Sequence, residues 1–114
     1  MSTFTAAERE VRAERERIQA RWGEQNHPDG TGGLLAAAHR DTSRECCQRA
    51  AAAGNVTWRL ILAEEVAEAF AEDDPGQLRG ELVQAAAVVL EWIDAIDRRN
   101  TGTAPPATAT GGAE

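Results

Sequence analysis

Apolar residues recur at helical spacing through most of the chain, and no segment alternates apolar and polar residues as a β-strand would. Ala, Glu, Arg and Leu dominate up to residue 99, and clusters of Gly, Asn, Asp and Pro divide this part into four stretches. The pattern predicts an all-α protein, a bundle of about four helices that residues 1–99 form as a single domain.

Capping and breaking signals predict where each helix begins and ends. Thr5 and Glu8 have the spacing of a capping box, and Thr57 can cap a later helix. Asp74 followed by Pro75 suits another helix start. Residues 100–114 are rich in Thr, Gly, Pro and Ala and are expected to be disordered. The predicted helices run from residue 5 to about 22, from 34 to 53, from 57 to 72 and from 75 to about 99.

The charge of the chain excludes several classes of partner. Nineteen acidic residues outnumber 12 basic ones, all of them Arg, for a formal net charge of −7. Such a chain repels the phosphate backbone, so we expect no binding to nucleic-acid polymers. No apolar run approaches the roughly 20 residues that span a bilayer, and the charged N-terminus does not resemble a secretory signal. The expected location is cytoplasmic, with no membrane partner.

The adjacent cysteines Cys46 and Cys47 carry no obvious chemistry. Neighbouring residues form a disulfide only with severe strain, and two adjacent thiols lack the ligand spacing of a zinc site. Reduced thiols are the expected state.

The third predicted helix carries carboxylates beside its apolar stripe. Glu65 and Glu68 lie one turn apart along one flank, and Glu64 is expected to turn further outward. The stripe itself consists of Trp58, Leu62, Val66 and Ala69.

The fourth predicted helix repeats this arrangement. Glu81 and Gln84 stand at the same angular offset beside its stripe, and the short turn at residues 74–76 makes the two helices antiparallel neighbours. The two polar pairs are therefore predicted to converge on one point. The second stripe consists of Leu78, Leu82, Ala85, Val89, Ile93 and Ile96.

Three carboxylates and one amide at the edge of a bundle would provide the oxygen ligands that Mg²⁺ prefers, with positions left for water and phosphate. The interval from Arg59 to Arg79 contains six acidic residues and no basic one between them, and such a cluster repels itself without a cation. The alternative is a solvated helix face, the usual role of a run of charges. Spacing alone leaves both interpretations open.

Two blocks of the sequence resemble a known family. Glu64-Glu65-Val66-Ala67-Glu68, followed after twelve residues by Glu81-Leu82-Val83-Gln84, is similar to the EExxE…ExxD signature of the MazG-like, all-α nucleoside triphosphate pyrophosphohydrolases. The apolar segment 58–63 resembles the lead-in to this signature. Residues 21–28, Arg-Trp-Gly-Glu-Gln-Asn-His-Pro, resemble the (K/R)WGEQNHP element of phage and actinobacterial members.

The resemblance implies a metal-dependent reaction, in which a nucleoside triphosphate is hydrolysed to the monophosphate and pyrophosphate. By position, Glu65, Glu68 and Glu81 would bind Mg²⁺, with Mn²⁺ as the alternative ion. Gln84 stands where the family has Asp and could coordinate through its carbonyl oxygen. Either Glu64 or Glu68 would accept the proton of the attacking water.

Arginines suit the binding of a triphosphate because their fork matches phosphate oxygens. Arg21 and Arg44 are candidates, although each is an ordinary surface residue in the alternative interpretation. Trp22 could stack on a base or pack in the core. His27 could contact substrate, or it could simply support the turn in which it lies.

The resemblance also implies a homodimer or homotetramer, and a small Ala-rich domain gains stability by association. The rival hypothesis is a non-catalytic helical protein that keeps the fold for dimerisation or partner binding. Gln84 separates the two hypotheses, because the substitution removes one negative charge from the site.

Overall fold

A computed structural model describes residues 3–102 of the 114-residue chain. These residues form four α-helices and no strand: α1 Ala6–Trp22, α2 Leu34–Ala52, α3 Trp58–Ala71 and α4 Pro75–Asn100. The predicted all-α class is confirmed, and each helix begins and ends within one or two residues of its predicted bounds. Asn100 belongs to α4, so the predicted disorder of 100–114 is wrong at that residue. From residue 103 onward the prediction lies outside the described residues.

Side chains cap three of the four helices at the predicted positions. At α1, the Thr5 hydroxyl accepts a hydrogen bond from the Glu8 N–H at 3.2 Å, and the Glu8 carboxylate accepts one from the Thr5 N–H at 2.7 Å. Thr57 accepts from the N–H of Leu60 at 3.2 Å, and Asp74 accepts from an N–H of the first turn of α4 at 2.9 Å. Each cap stabilises its helix by about 1 kcal/mol, which explains why the helix starts are readable from local sequence.

Helix α3 is the centre of the arrangement. It packs against α2 on one side and α4 on the other, whereas α1 packs only against α4. The helices form a flat body of 43 × 42 × 19 Å, only about two helix diameters thick. Because α3 is covered from two sides, side chains on both of its flanks lie in interfaces.

The loop before α2 is tied to the end of α3. The Thr31 hydroxyl donates to the Glu72 carbonyl at 2.6 Å, and the Gly32 N–H donates to the Phe70 carbonyl at 2.8 Å. Gly32 has φ +95°, and a Cβ at this position would lie 1.7 Å from a carboxylate oxygen of Asp73. The positive φ at Gly32 favours glycine. The two hydrogen bonds hold the loop before α2 against the end of α3.

The buried side chains of residues 3–102 are small, and no large one is fully buried. The buried apolar residues are Ala7, Cys47, Ala67, Ala69, Leu78 and Ala95. Larger apolar residues stay exposed on every helix, among them Val11, Ile18, Trp22, Leu34, Leu35, Phe70, Leu82, Val83 and Val89. A single copy of this chain therefore leaves much of its apolar surface in water.

The predicted apolar stripe of α4 is confirmed at four of its six residues, since Leu78 is buried and Ala85, Ile93 and Ile96 are half-buried. Val89 is 37% exposed, and the prediction was wrong at Leu82, which is 50% exposed while Glu81 just before it is half-buried. Periodicity alone does not fix the angular position of a helix against its neighbour to within one residue. As a result a carboxylate, and not a leucine, lies in the seam between α3 and α4.

None of the helices among residues 3–102 combines the length and the apolar character needed to cross a bilayer.

Candidate metal centre

Three glutamates converge where α3 and α4 meet. Glu65 and Glu68 lie one turn apart on α3, and the turn at residues 72–74 brings Glu81 of α4 beside them. Each contributes a carboxylate oxygen, and these three oxygens all lie within 4.8 Å of one another. All three residues are half-buried. The structure thus brings together the three carboxylates that the spacing predicted to converge.

Two of these carboxylates lack a partner for a buried oxygen. Oε1 of Glu65 and Oε1 of Glu81 are both inaccessible to solvent and accept no hydrogen bond within the described part of the chain. A buried carboxylate without a partner is costly unless a cation or a proton neutralises it. The two oxygens therefore mark a point that suits either a cation or a proton shared between carboxylates.

The pKa values of these two carboxyls reflect the same imbalance. Burial raises the pKa of Glu65, and the charges of Glu68, Glu81 and Glu64 raise it further. Burial also raises the pKa of Glu81, followed by the charge of Glu68 and a hydrogen bond with it, while Arg44 acts in the opposite direction. Both shifts favour the protonated form, as expected of like charges held together out of water.

Arg44 of α2 is the cation in contact with this cluster. Its Nη2 lies 3.3 Å from Oε2 of Glu68, and its Nε lies 4.0 Å from Oε2 of Glu64. The Arg44 side chain remains 43% exposed. One guanidinium cannot balance four neighbouring carboxylates, and its exposed edge leaves it able to contact an anion that approaches from solvent.

Glu64 faces α2, so the expectation that it turns outward was wrong. Its side chain is only 21% exposed and lies beside Arg44. It also contacts the buried thiol of Cys47, whose pKa is raised by burial, then by a hydrogen bond with Glu64 and by nearby negative charge. The outward prediction failed because it considered one packed face of α3, whereas α2 covers a second.

Gln84, the fourth predicted ligand, lies one turn beyond Glu81 on α4 and is exposed. It therefore differs from the three glutamates, which are half-buried.

The segment with the second family-like motif lies apart from the cluster. Every residue from 21 to 28 is exposed. The Arg21 guanidinium stacks on the ring of Trp22 at 4.9 Å, and His27 lies 3.1 Å from the side-chain oxygen of Gln25. Within residues 3–102, no hydrogen bond or ion pair links this segment to the glutamates. Of the four predicted substrate-binding residues, the structure brings only Arg44 to the site.

Sequence reasoning offered Arg44 of α2 as a candidate for binding substrate, but it did not predict that Arg44 and Cys47 would contact the glutamates of α3. Arg44 contacts Glu68 across 24 residues of sequence, and no local spacing predicts a contact of that range. The packing of α2 against α3 and the hydrogen bond of the Gly32 N–H to the Phe70 carbonyl hold α2 in position.

The arrangement suits a hard divalent cation. All the converging donors are carboxylate oxygens, and no nitrogen or sulfur ligand lies among them, which favours Mg²⁺ or Mn²⁺ over zinc. Comparison with protein-family models, curated proteins and solved structures returns no match to this chain. Function is accordingly inferred from the geometry of the glutamates together with the sequence resemblance.

Proposed function

We propose that this protein is a Mg²⁺-dependent nucleoside triphosphate pyrophosphohydrolase of the MazG-like type. It would hydrolyse a ribo- or deoxyribonucleoside triphosphate to the monophosphate and pyrophosphate, as part of nucleotide-pool housekeeping. The observation that carries the proposal is the pair of buried, unpartnered oxygens on Glu65 and Glu81, within reach of a third carboxylate from Glu68.

Glu65, Glu68 and Glu81 would hold the ion, with Mn²⁺ able to replace Mg²⁺. When bound, the ion supplies charge neutralisation at the phosphates and lowers the pKa of a coordinated water. The side-chain carbonyl of Gln84 can add a neutral oxygen at the exposed edge. Three carboxylates already exceed the charge of one divalent ion, so the missing Asp does not leave the site without enough negative charge.

Glu64 is the better candidate for the base that accepts the proton of the attacking water. Its carboxylate is partly buried beside the cluster, but it is not one of the three converging carboxylates. Glu68, the other candidate, already contacts Arg44 and is paired with Glu81. Glu64 also contacts Arg44, at 4.0 Å, and the Cys47 thiol, so what favours it as the base is that it lies outside the three carboxylates that would hold the ion.

Arg44 would bind the triphosphate. It contacts Glu68 at 3.3 Å with part of its guanidinium, and the side chain is still partly exposed. Once a divalent cation neutralises the glutamates, the attraction that holds Arg44 weakens, and its donors can turn to phosphate oxygens.

We also propose that the chain functions as a homodimer or homotetramer. Exposed Leu82, Val83 and Val89 on α4, with Val11 and Ile18 on α1, give one copy an apolar surface that a second copy can cover. Light scattering at micromolar concentration tests this, and a clean monomer would contradict it.

The test of activity is direct. Purified protein is incubated with Mg²⁺ and each common ribo- and deoxyribonucleoside triphosphate in turn, and released pyrophosphate is measured. We expect release from at least one nucleotide, and none when EDTA replaces Mg²⁺. Absence of release from every nucleotide, together with a melting temperature that Mg²⁺ does not change, would favour the alternative, a non-catalytic helical protein that binds a partner or dimerises.

A further inference from the structure

A cleft lies between the start of α3 and the last turns of α4, at the end of the α3–α4 seam opposite to the glutamate cluster. Its volume is about 510 Å³, within the range of small-molecule sites. Indole rings and guanidinium groups from both helices line it. The lining includes Trp58, Arg59, Ile61, Trp92 and Arg99.

The charged residues that line this cleft are both basic, although the chain is acidic. None of its lining residues is a carboxylate. Within residues 3–102, the side chains of Arg59 and Arg99 make no ion pair and no hydrogen bond, a property that Arg12, Arg15 and Arg79 outside the cleft share. In a chain with 19 acidic and 12 basic residues, two guanidiniums that share one cleft without a carboxylate are available for an external anion.

The two indole rings indicate that the anion also carries an aromatic group. Trp58 and Trp92 are both half-buried, so each leaves part of its ring accessible in the cleft. Indole rings offer flat apolar faces that stack on other aromatic systems. The fork of an arginine matches the oxygens of a phosphate. An aromatic ring joined to a phosphate satisfies both sets of groups at once.

The cleft is separate from the glutamate cluster. Trp58 precedes Glu65 by seven residues, about 10 Å along α3, and Trp92 follows Glu81 by eleven residues, about 16 Å along α4. None of the three clustered glutamates lines the cleft. A ligand held by the arginines therefore has its phosphate away from the metal centre.

We propose that this cleft is a second, metal-independent nucleotide-binding site. The base stacks on Trp58 and Trp92, and Arg59 and Arg99 bind the phosphate. A volume of about 510 Å³ accommodates a mononucleotide. This site does not depend on the proposed catalytic function, because neither its lining nor its charge involves the glutamates.

The experiment follows the indole N–H resonances of the full chain by NMR during titration with AMP in the presence of EDTA. The chain has three Trp residues, and a Trp22→Phe variant assigns the resonance outside the cleft. We expect saturable shifts of the Trp58 and Trp92 resonances and none of Trp22. Adenosine has the base without the phosphate, and inorganic phosphate lacks the base. Each should bind at least tenfold more weakly than AMP.

Two variants and a matched control localise the ligand. Arg59→Gln and Arg99→Gln should each weaken AMP binding at least tenfold. Arg79→Gln removes the same charge from an exposed position of α4 outside the cleft and should leave binding unchanged.

Four outcomes would overturn the proposal: no saturable shift, equal loss in Arg79→Gln, a requirement for Mg²⁺, or loss of binding in Glu65→Gln. Shifts that follow protein concentration and not AMP would also overturn it, because they would make the cleft an interface between copies. Failure of the pyrophosphohydrolase assay has no bearing on these readouts, since the titration contains no divalent cation.

Discussion

The two ends of the α3–α4 seam have opposite electrostatic character. At one end, Glu65, Glu68 and Glu81 crowd together with one arginine in contact. At the other end, Trp58 and Trp92 line a cleft with two arginines and no carboxylate. The same pair of helices thus carries clustered carboxylates at one end and, in the lining of the cleft at the other, two arginines without a carboxylate.

At the acidic end this arrangement costs stability, because within residues 3–102 two buried carboxylate oxygens have no hydrogen-bond partner. The net charge of −7 hides this separation, since the acidic excess and the unpaired arginines partly cancel. We infer that the glutamate cluster and the cleft arginines serve two kinds of ligand, a cation at the glutamates and an anion at the arginines.

The largest effect is expected from removing a ligand of the acidic end. Glu65→Gln and Glu81→Gln should each lower Mg²⁺ affinity and pyrophosphate release by about 100-fold or more, since each removes a charge that the ion requires. Calorimetric Mg²⁺ titration and the pyrophosphate assay measure the two effects.

Glu91→Gln is the matched control for these variants, because Glu91 is exposed on the same helix and outside the cluster. It should leave both quantities unchanged. Unaltered Mg²⁺ affinity in Glu65→Gln and Glu81→Gln would show that the cluster is a repulsive surface and not a metal site.

The second prediction concerns pH. The pKa values of Glu65 and Glu81 are raised in the folded state above 4.5. Their contribution to stability is therefore present below pH 4.5 and is lost as pH rises through the raised values. In EDTA, the loss of this contribution should lower the melting temperature as pH rises from the acid range toward neutrality.

Mg²⁺ should reverse this loss. It binds the ionised carboxylates, and at ~30 times its Kd it adds about 2 kcal/mol to the free energy of unfolding. Thermal melts with and without Mg²⁺ between pH 4 and 8 should show a gap that widens with pH. The double variant Glu65→Gln/Glu81→Gln should show neither the gap nor the slope, and a gap that is constant with pH would contradict the assignment.

Arg44 provides a smaller and more selective test. Arg44→Gln removes the cation in contact with Glu68 and Glu64, so Mg²⁺ affinity should rise about threefold as competition for the carboxylates disappears. Affinity for the triphosphate should fall about tenfold, the loss of roughly one charge-assisted hydrogen bond. Arg44→Lys keeps the positive charge but lacks the forked guanidinium, so its affinities for Mg²⁺ and for the triphosphate should lie between those of the unaltered protein and Arg44→Gln. A parallel loss of both affinities would show that Arg44 only supports the fold.

The smallest effect is expected at the exposed edge of the cluster. Gln84→Asp restores the residue that the family-like motif has at this position and should tighten Mg²⁺ binding about threefold by adding one charge near the ion. Gln48→Asp adds the same charge at an exposed position of α2 and serves as control. Equal effects of both substitutions would mean that Gln84 acts only through the overall charge of the chain.

The parts of this fold that sequence could predict are those set by local interactions. Helix starts were predictable because Thr5, Thr57 and Asp74 cap their own helices within three residues. The convergence of Glu65, Glu68 and Glu81 was predictable from their spacing and from one tight turn.

The remaining features depend on which faces of the helices meet. Glu81 takes the seam position expected of Leu82, and Arg44 reaches Glu68 from a helix 24 residues earlier. Trp58, which the sequence placed in the apolar stripe of α3, is half-buried and also lines a cleft with Trp92, a neighbour that spacing did not predict. Periodicity gives the angular position of a side chain on its own helix, but it does not give the neighbour that covers it.

The most direct test of the metal centre is a crystal of this protein soaked with Mn²⁺, with the ion located by anomalous scattering. We predict a single strong peak within about 2.5 Å of oxygens from Glu65, Glu68 and Glu81. The same map shows whether the Gln84 carbonyl contacts the ion. Clear density for the three carboxylates without an anomalous peak between them, at a Mn²⁺ concentration that fills other sites, would contradict the account.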